Sequence, residues 1–207
     1  MDSLIDSLCE NHKPKAKLYH PVICLGIWAV AAFASIYSVI WYIGVRHDIE
    51  ARLSDPIFLF EMTLVVVMGL SALFCTFWLR IPDMRGKEWA LPIPLTLLAV
   101  YCIWMFIRIL TSHTDMPEME YHHCMGDGAT ITVVPALLMF IMTLRGCTTR
   151  PLRMAMMNGL ALAAIAYVGL GLTCASGDPG HVLFTHLLPF IVVAASLALL
   201  ARKIYKW

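Results

Sequence analysis

The chain has 207 residues, of which 60% are hydrophobic and 14% are charged, and its mean hydropathy is +0.76. This composition is too apolar for a water-soluble domain of that length and indicates a membrane protein. The formal net charge of +1 indicates little by itself, and we expect no direct contact with nucleic acid.

Six stretches come close to the roughly 20 mostly apolar residues that a helix needs to cross a bilayer. Helices are expected because lipid cannot satisfy exposed backbone groups, and the continuous apolarity lacks the alternation of a barrel strand. The sequence therefore predicts an all-α bundle of six transmembrane helices, with spans at 22–45, 57–79, 90–110, 128–144, 152–173 and 182–201. The fourth span is the shortest, and we expect it to begin inside a Gly-Asp-Gly turn at 126–128.

Basic residues are distributed unevenly over the connections between the spans. Three lie on one side: Arg46, Arg52 and Arg108. Twelve lie on the other: Lys13, Lys15, Lys17, Arg80, Arg85, Lys87, Arg145, Arg150, Arg153, Arg202, Lys203 and Lys206. Because cytoplasmic loops carry the excess of Lys and Arg, this asymmetry predicts that both termini lie in the cytoplasm.

One polar stretch between the third and fourth spans concentrates groups that bind metals or react with oxidants. The connection at 112–127 contains His122, His123 and Cys124 together with three methionines and four acidic residues. A second cysteine, Cys174, leaves the fifth span on the same side and is expected to be exposed. Two thiols and several imidazoles on one side indicate a sensor of metal or of redox state.

Two interpretations of these thiols remain open. Cys124 and Cys174 form a disulfide only if their Cα atoms approach to about 5.5 Å, which requires the fourth and fifth spans to meet at their outer ends. Alternatively, the two thiolates bind a soft or borderline ion such as copper or zinc, with His122, His123 and His181 as further ligands. Adjacent histidines are not a specific motif, and unpaired loop histidines are often only solvated.

The remaining cysteines carry less information. Cys24, Cys75 and Cys102 lie within apolar spans, where a thiol usually acts as a small packing residue. Cys9 and Cys147 are expected to face the reducing cytoplasm, where a lasting disulfide does not persist.

Polar residues beneath the outer surface are few. Asp-Pro pairs at Asp55 and Asp178 predict helix starts, with the aspartate as N-cap and the proline at the first helical position. Glu61 and His186 are then buried one to two turns below these starts. We expect Glu61 to pair with Arg108 or to reach outer water. A transporter would need more polar residues at mid-depth, and broken helices there.

The N-terminal tail contains a short amphipathic pattern. Leu4, Ile5 and Leu8 share one helical stripe, with acidic residues opposite. Nine or ten residues are too few to form a stable free helix. Surface helices on membranes usually carry basic polar faces, so docking into the groove of a partner protein is the better explanation.

Several of these elements, in this order along the chain, resemble the NrsF family of six-helix bacterial inner-membrane anti-sigma factors. They are the start Asp-Ser-Leu-Ile-Asp-Ser-Leu, the element Arg52-Leu-Ser-Asp-Pro-Ile-Phe, the Cys124 stretch, and Cys174 followed by Asp178-Pro179-Gly-His181 and His186-Leu-Leu-Pro189. The resemblance implies that residues 1–21 bind an extracytoplasmic-function sigma factor. It also implies that Cys124 and Cys174 sense heavy metal or oxidative stress.

We therefore expect a multi-pass protein of the bacterial inner membrane that is not an enzyme. Residues 1–21 would form the sigma-binding segment, 22–201 the sensor domain, and 202–207 a cytoplasmic tail. A metal-ion transporter is one alternative. A membrane thiol oxidoreductase is another, although the sequence has no CxxC pair and no visible quinone or haem motif.

Overall fold

The computed structural model describes residues 18–82, 84–111 and 121–205, without the side chains of 121–123. These residues form helices and no strands. In chain order the helices are α1 (Pro21–Ile43), α2 (Ile49–Leu53), α3 (Pro56–Trp78), α4 (Pro92–Thr111), α5 (Tyr121–Leu144), α6 (Pro151–Thr173) and α7 (Pro179–Ile204). All except α2 are long and apolar enough to cross a membrane, which confirms the predicted six-helix architecture.

Local sequence determines where the long helices begin. Five of the six start at a proline, which suits the first helical position because its fixed φ is helical and its missing N–H would have no partner there. The Asp55 side chain accepts a hydrogen bond from the Ile57 amide, and Asp178 accepts one from the His181 amide. Both predicted Asp-Pro helix starts are therefore confirmed.

α6 is the central helix of the bundle. In the most apolar 18-residue stretch of α6, 78% of the residues are buried, against 39% or less in the corresponding stretches of the other five spans. Its small residues let neighbouring helices approach closely: a Cβ added at Gly159 would lie 2.1 Å from the Ala194 Cβ, and one at Gly169 would lie 2.5 Å from the Ile131 Cδ1. Movement at either end of α6 must therefore displace the helices packed around it.

α1 is attached to α5 at a proline. Pro135 has no N–H, so the Ile131 carbonyl one turn earlier loses its intrahelical partner. The Ser35 hydroxyl donates to that carbonyl at 2.7 Å, and the Trp28 Nε1 donates to the Pro135 carbonyl at 2.8 Å. Because lipid offers no alternative donor, these bonds hold α1 and α5 in one register.

The prediction for the start of the fourth span was wrong. α5 begins at Tyr121 and its apolar part at Cys124, so the expected Gly-Asp-Gly turn is helical. Gly128 allows neighbouring helices to pack closely, because a Cβ at this position would lie 3.0 Å from both Leu170 Cδ1 and Phe190 Cζ. Cys124 consequently lies on a helix and not in a loop.

One packing prediction for the cysteines was also wrong. Cys24 and Cys75 are buried as expected, but Cys102 is exposed on α4. The reason is that α4 lies at the periphery of the bundle. Only 28% of its most apolar 18-residue stretch is buried. The Cys102 thiol therefore faces outward from the bundle.

Candidate metal and thiol site

Cys124, Cys174 and His181 meet at one end of the bundle, which we call the cysteine end. Cys124 lies in the first turns of α5, Cys174 follows the last residue of α6, and His181 lies in the first turn of α7. The two Sγ atoms are 3.2 Å apart, and the Cys174 Sγ lies 3.4 Å from the His181 Nε2. Three helix ends therefore share one site.

A fourth residue, His186, completes the cluster. One ligand atom from each of Cys124, Cys174, His181 and His186 can be chosen so that all four lie within 4.8 Å of one another. The His186 side chain is buried, and its Nε2 has no hydrogen-bond partner within the described part of the chain. An unsatisfied buried ring nitrogen beside two thiols is the condition that a metal ion would relieve.

Sequence reasoning identified His186 only as a buried polar residue and missed its place among the ligands. Residues five apart on an α-helix point about 140° away from each other at 3.6 residues per turn, which argues against pairing His181 with His186. The structure has a π-helix at Val182–Leu187, and i→i+5 bonding brings such residues to neighbouring positions. The ring centroids are 5.4 Å apart. The sequence feature that could have indicated the π-helix is Pro189, because a proline interrupts the regular hydrogen bonding of an α-helix just beyond this segment.

The site is more enclosed than the sequence predicted. Cys174 was expected to be exposed, but it is only 9% exposed, and its sulfur is contacted by Cys124 of α5 and His181 of α7. Cys124 and His181 are partly exposed and form the side of the cluster open to solvent. An ion or an oxidant therefore reaches the buried pair Cys174 and His186 past these two residues.

The neighbouring groups favour an ionised thiol at Cys174. The hydrogen bond between the Cys124 and Cys174 thiols, in which either sulfur can donate, lowers the pKa of Cys174 below its usual range, against the opposing effect of burial. The His186 ring acts in the same direction. Since the thiolate is the form that binds metals and reacts with oxidants, this hydrogen-bonded pair of thiols favours loss of one proton and supplies a reactive thiolate.

The donor set fits a tetrahedral soft or borderline metal ion. With Zn–S near 2.3 Å and Zn–N near 2.0–2.1 Å, tetrahedral ligand atoms lie roughly 3.3–3.8 Å apart. The observed 3.4 Å between sulfur and imidazole lies within this range, and the 3.2 Å between the sulfurs is about half an ångström shorter than two sulfurs on one ion would take. Two thiols and two imidazoles are ligands that zinc and copper select. Cys124, Cys174, His181 and His186 would hold the ion.

Arg46 holds the α6–α7 connection in place next to the site. It is buried, and its guanidinium donates to the carbonyl oxygens of Ala175, at 2.8 Å, and Gly171. Asp48 binds the same guanidinium with both carboxylate oxygens, and this hydrogen bonding lowers the pKa of Asp48 to about 2. The segment that carries Cys174 is thus fixed to the α1–α2 connection.

A buried polar network lies directly below the cluster. Glu61 accepts hydrogen bonds from Trp104, at 2.8 Å, and from Arg108, at 2.5 Å. The structure thus brings Glu61 and Arg108 together as expected, near the cysteine ends of α3 and α4. The Tyr167 hydroxyl also donates to Glu61, at 3.5 Å, and the Tyr167 ring packs edge-on against His186. This network connects the cluster to α3, α4 and α6.

Several sequence-predicted site residues lie outside the described residues. The side chains of His122 and His123 belong to this group, and so do Leu4, Ile5 and Leu8 of the N-terminal tail. Their roles stay predictions.

Comparison with known proteins agrees with the resemblance noted in the sequence. A family model described as NrsF, negative regulator of sigma F, matches residues 8–207. No curated protein and no solved structure matches. The match covers nearly the whole chain, including all six long helices and the four residues of the cluster. The chain belongs to the NrsF family of negative regulators of sigma F.

Proposed function

We propose that this negative regulator of a sigma factor is a bacterial inner-membrane sensor that holds an extracytoplasmic-function sigma factor at its N-terminal segment and releases it under metal or oxidative stress. Both termini would lie in the cytoplasm, and the cysteine end would face the opposite compartment. The observation that carries the proposal is the cluster Cys124, Cys174, His181 and His186, with its unsatisfied ring nitrogen.

The cluster supports two kinds of input. A copper or zinc ion would bind the thiolates and the imidazoles, and its binding would release the thiol protons. Alternatively, a two-electron oxidant takes two electrons from the thiols, two protons leave, and an S–S bond of about 2.05 Å forms. The sulfurs are 3.2 Å apart, so bond formation requires them to move together by roughly an ångström. Oxidation would draw the ends of α5 and α6 together, whereas a bound ion would bridge the ends of α5, α6 and α7.

The helix packing supplies a route to the sigma-binding segment. Movement of α5 at Cys124 acts on α1 through the bonds from Trp28 and Ser35. α1 begins at Pro21, the last residue of the segment 1–21 that we assign to the sigma factor. The signal changes the output only if metal or oxidation favours one arrangement of the bundle over the other, since equal affinity for both shifts nothing.

The test is a promoter reporter for the bound sigma factor in cells carrying Cys124→Ser, Cys174→Ser or the double variant. We expect each single variant to match the double variant, with an output that no longer responds to copper, zinc, cadmium or peroxide. Cys102→Ser is the matched control and should respond normally. Independent, additive losses from the two cysteines would contradict a shared site.

The N-terminal assignment is tested separately by pull-down of the sigma factor. Replacing Leu4, Ile5 and Leu8 with Ser should release the sigma factor while the protein stays in the membrane. Retained binding by that triple variant would contradict the assignment without affecting the metal site.

A further inference from the structure

A second candidate site lies at the end of the bundle opposite the cysteines. A pocket of about 750 Å³ opens there between the start of α6 and the end of α7, and its lining includes Arg150, Pro151, Leu152, Arg153, Arg202 and Tyr205. Arg150 binds Glu88 at 2.5 Å. Within the described part of the chain, Arg153 and Arg202 have no carboxylate partner. Among the described residues the pocket therefore carries an excess of positive charge.

The start of α6 adds hydrogen-bond donors to the same pocket. Pro151 occupies the first helical position, and the N-cap residue Arg150 makes no side-chain capping bond. The first backbone N–H groups of a helix lack intrahelical partners and attract anions together with the helix dipole. The pocket consequently offers two guanidinium groups and the amide N–H groups of Leu152 and Arg153 to one negatively charged group.

An apolar groove of about 230 Å³ continues from this pocket toward the middle of the bundle. Tyr205 lines both, and the groove runs between α5, α6 and α7 along Ala136, Leu137, Phe140, Leu162, Leu197 and Ile204. Leu137 is 58% exposed, as expected of a side chain that faces lipid. In a membrane-spanning bundle such a groove is filled by hydrocarbon chains.

One buried amide marks the junction of the two regions. Asn158 also lines the groove and is 7% exposed, and its Nδ2 donates to the Tyr205 hydroxyl at 2.9 Å. Its Oδ1 has no partner in the described part of the chain. Whichever way the amide is oriented, one end is left for a ligand group. Asn158 lies seven residues beyond Pro151, two helical turns and about 10.5 Å along α6, so the basic pocket and the groove lie on the same face of this helix.

We infer that this end of the bundle binds one anionic phospholipid. The phosphate lies between Arg153 and Arg202 at the start of α6, the polar glycerol region reaches Asn158, and one acyl chain occupies the groove. The order basic pocket, buried amide and apolar groove matches the order of groups along a phospholipid. Basic pockets between transmembrane helices are a known arrangement for anionic headgroups. The bound lipid would hold α7 against α5 and α6.

The experiment uses the full chain in nanodiscs of phosphatidylcholine containing a small fraction of phosphatidylglycerol, followed by native mass spectrometry of the lipids retained on release. We expect the wild type to retain one phosphatidylglycerol in preference to phosphatidylcholine. Arg153→Gln with Arg202→Gln should weaken this preference roughly 30-fold, from about 1 kcal/mol per basic residue. Lys87→Gln with Lys203→Gln changes the net charge equally but leaves the pocket lining intact, and should retain the lipid.

Further measurements distinguish a bound phospholipid from a free anion or a protein contact. Asn158→Leu replaces a partly unsatisfied buried amide by an apolar side chain, so the bundle should fold, yet lipid retention should fall roughly 2- to 10-fold for one lost hydrogen bond. Equal retention of both lipids by the wild type would overturn the inference. So would displacement of the lipid by millimolar inorganic phosphate alone, which would identify a site for free anions. Loss of sigma-factor binding by the arginine variants with unchanged lipid retention would overturn it in favour of a protein contact.

Discussion

His186→Leu is the sharpest test of the metal site because it separates metal affinity from the stability of the bundle. The buried Nε2 has no partner, and an unsatisfied buried polar atom costs about 1–3 kcal/mol. The substitution removes that cost but also loses the edge-on ring contacts with Tyr167 and His181, worth about 0.5–1.5 kcal/mol each. The two effects are of similar size and opposite sign, so we expect the metal-free variant to differ from the wild type by no more than about 2 kcal/mol.

The stability gained on binding metal should differ between the wild type and the His186→Leu variant. At a zinc concentration 100 times its dissociation constant, the wild type gains about 2.7 kcal/mol of stability. Loss of one ligand costs at least the 10- to 100-fold typical of an outer-shell partner. A 100-fold weaker variant then gains only about 0.4 kcal/mol at the same concentration. The measurement is thermal unfolding of the reduced protein in detergent with increasing zinc, copper or cadmium.

His47→Leu is the matched control, since His47 is exposed near the same end of the bundle and does not belong to the cluster. It should keep the full metal-dependent gain. The reasoning is refuted if His186→Leu keeps this gain as well, or if both variants lose it equally.

Three further changes test the architecture around the site. Trp28→Phe removes the hydrogen bond that its Nε1 donates to the Pro135 carbonyl; it should lower stability by about 0.5–1.5 kcal/mol and weaken the response to metal, whereas Trp41→Phe, at an 81% exposed position, should do neither. Gly159→Val places a Cβ 2.1 Å from one on α7 and should cost about 3 kcal/mol or more in an unfolding assay, while Gly26→Val, with nothing within 4 Å, should be tolerated. Because the pKa of Asp48 is lowered to about 2, its contribution to stability is complete above about pH 4 and is lost as the pH falls toward 2. Asp48→Asn should remove this step from a plot of stability against pH. An unchanged plot would contradict the assignment of the step to Asp48.

Much of the fold could be predicted because the bilayer restricts what an apolar chain can do. Spans of roughly 20 residues must be helical, so hydropathy located all six of them. Aspartate and proline act within one turn of chain, so Asp55 and Asp178 marked helix starts correctly. The start of α5 could not be predicted in this way. Glycine is typical of turns, but Gly128 instead lets α5 pack closely against Leu170 and Phe190, which lie far away in sequence.

The site was predictable in part. That Cys124 and Cys174 lie at one end follows from counting spans, and their 3.2 Å separation is consistent with that count. The sequence by itself determined the membrane class, the number of helices and the end at which the thiols lie, because these depend on local hydrophobicity and length. Tertiary structure alone decided that His186 joins the cluster, that Arg46 holds the Cys174 segment, and that Trp28 connects α1 to α5. Each of these depends on a π-helical register or on a carbonyl contacted across the bundle, and such contacts exist only once the helices have packed.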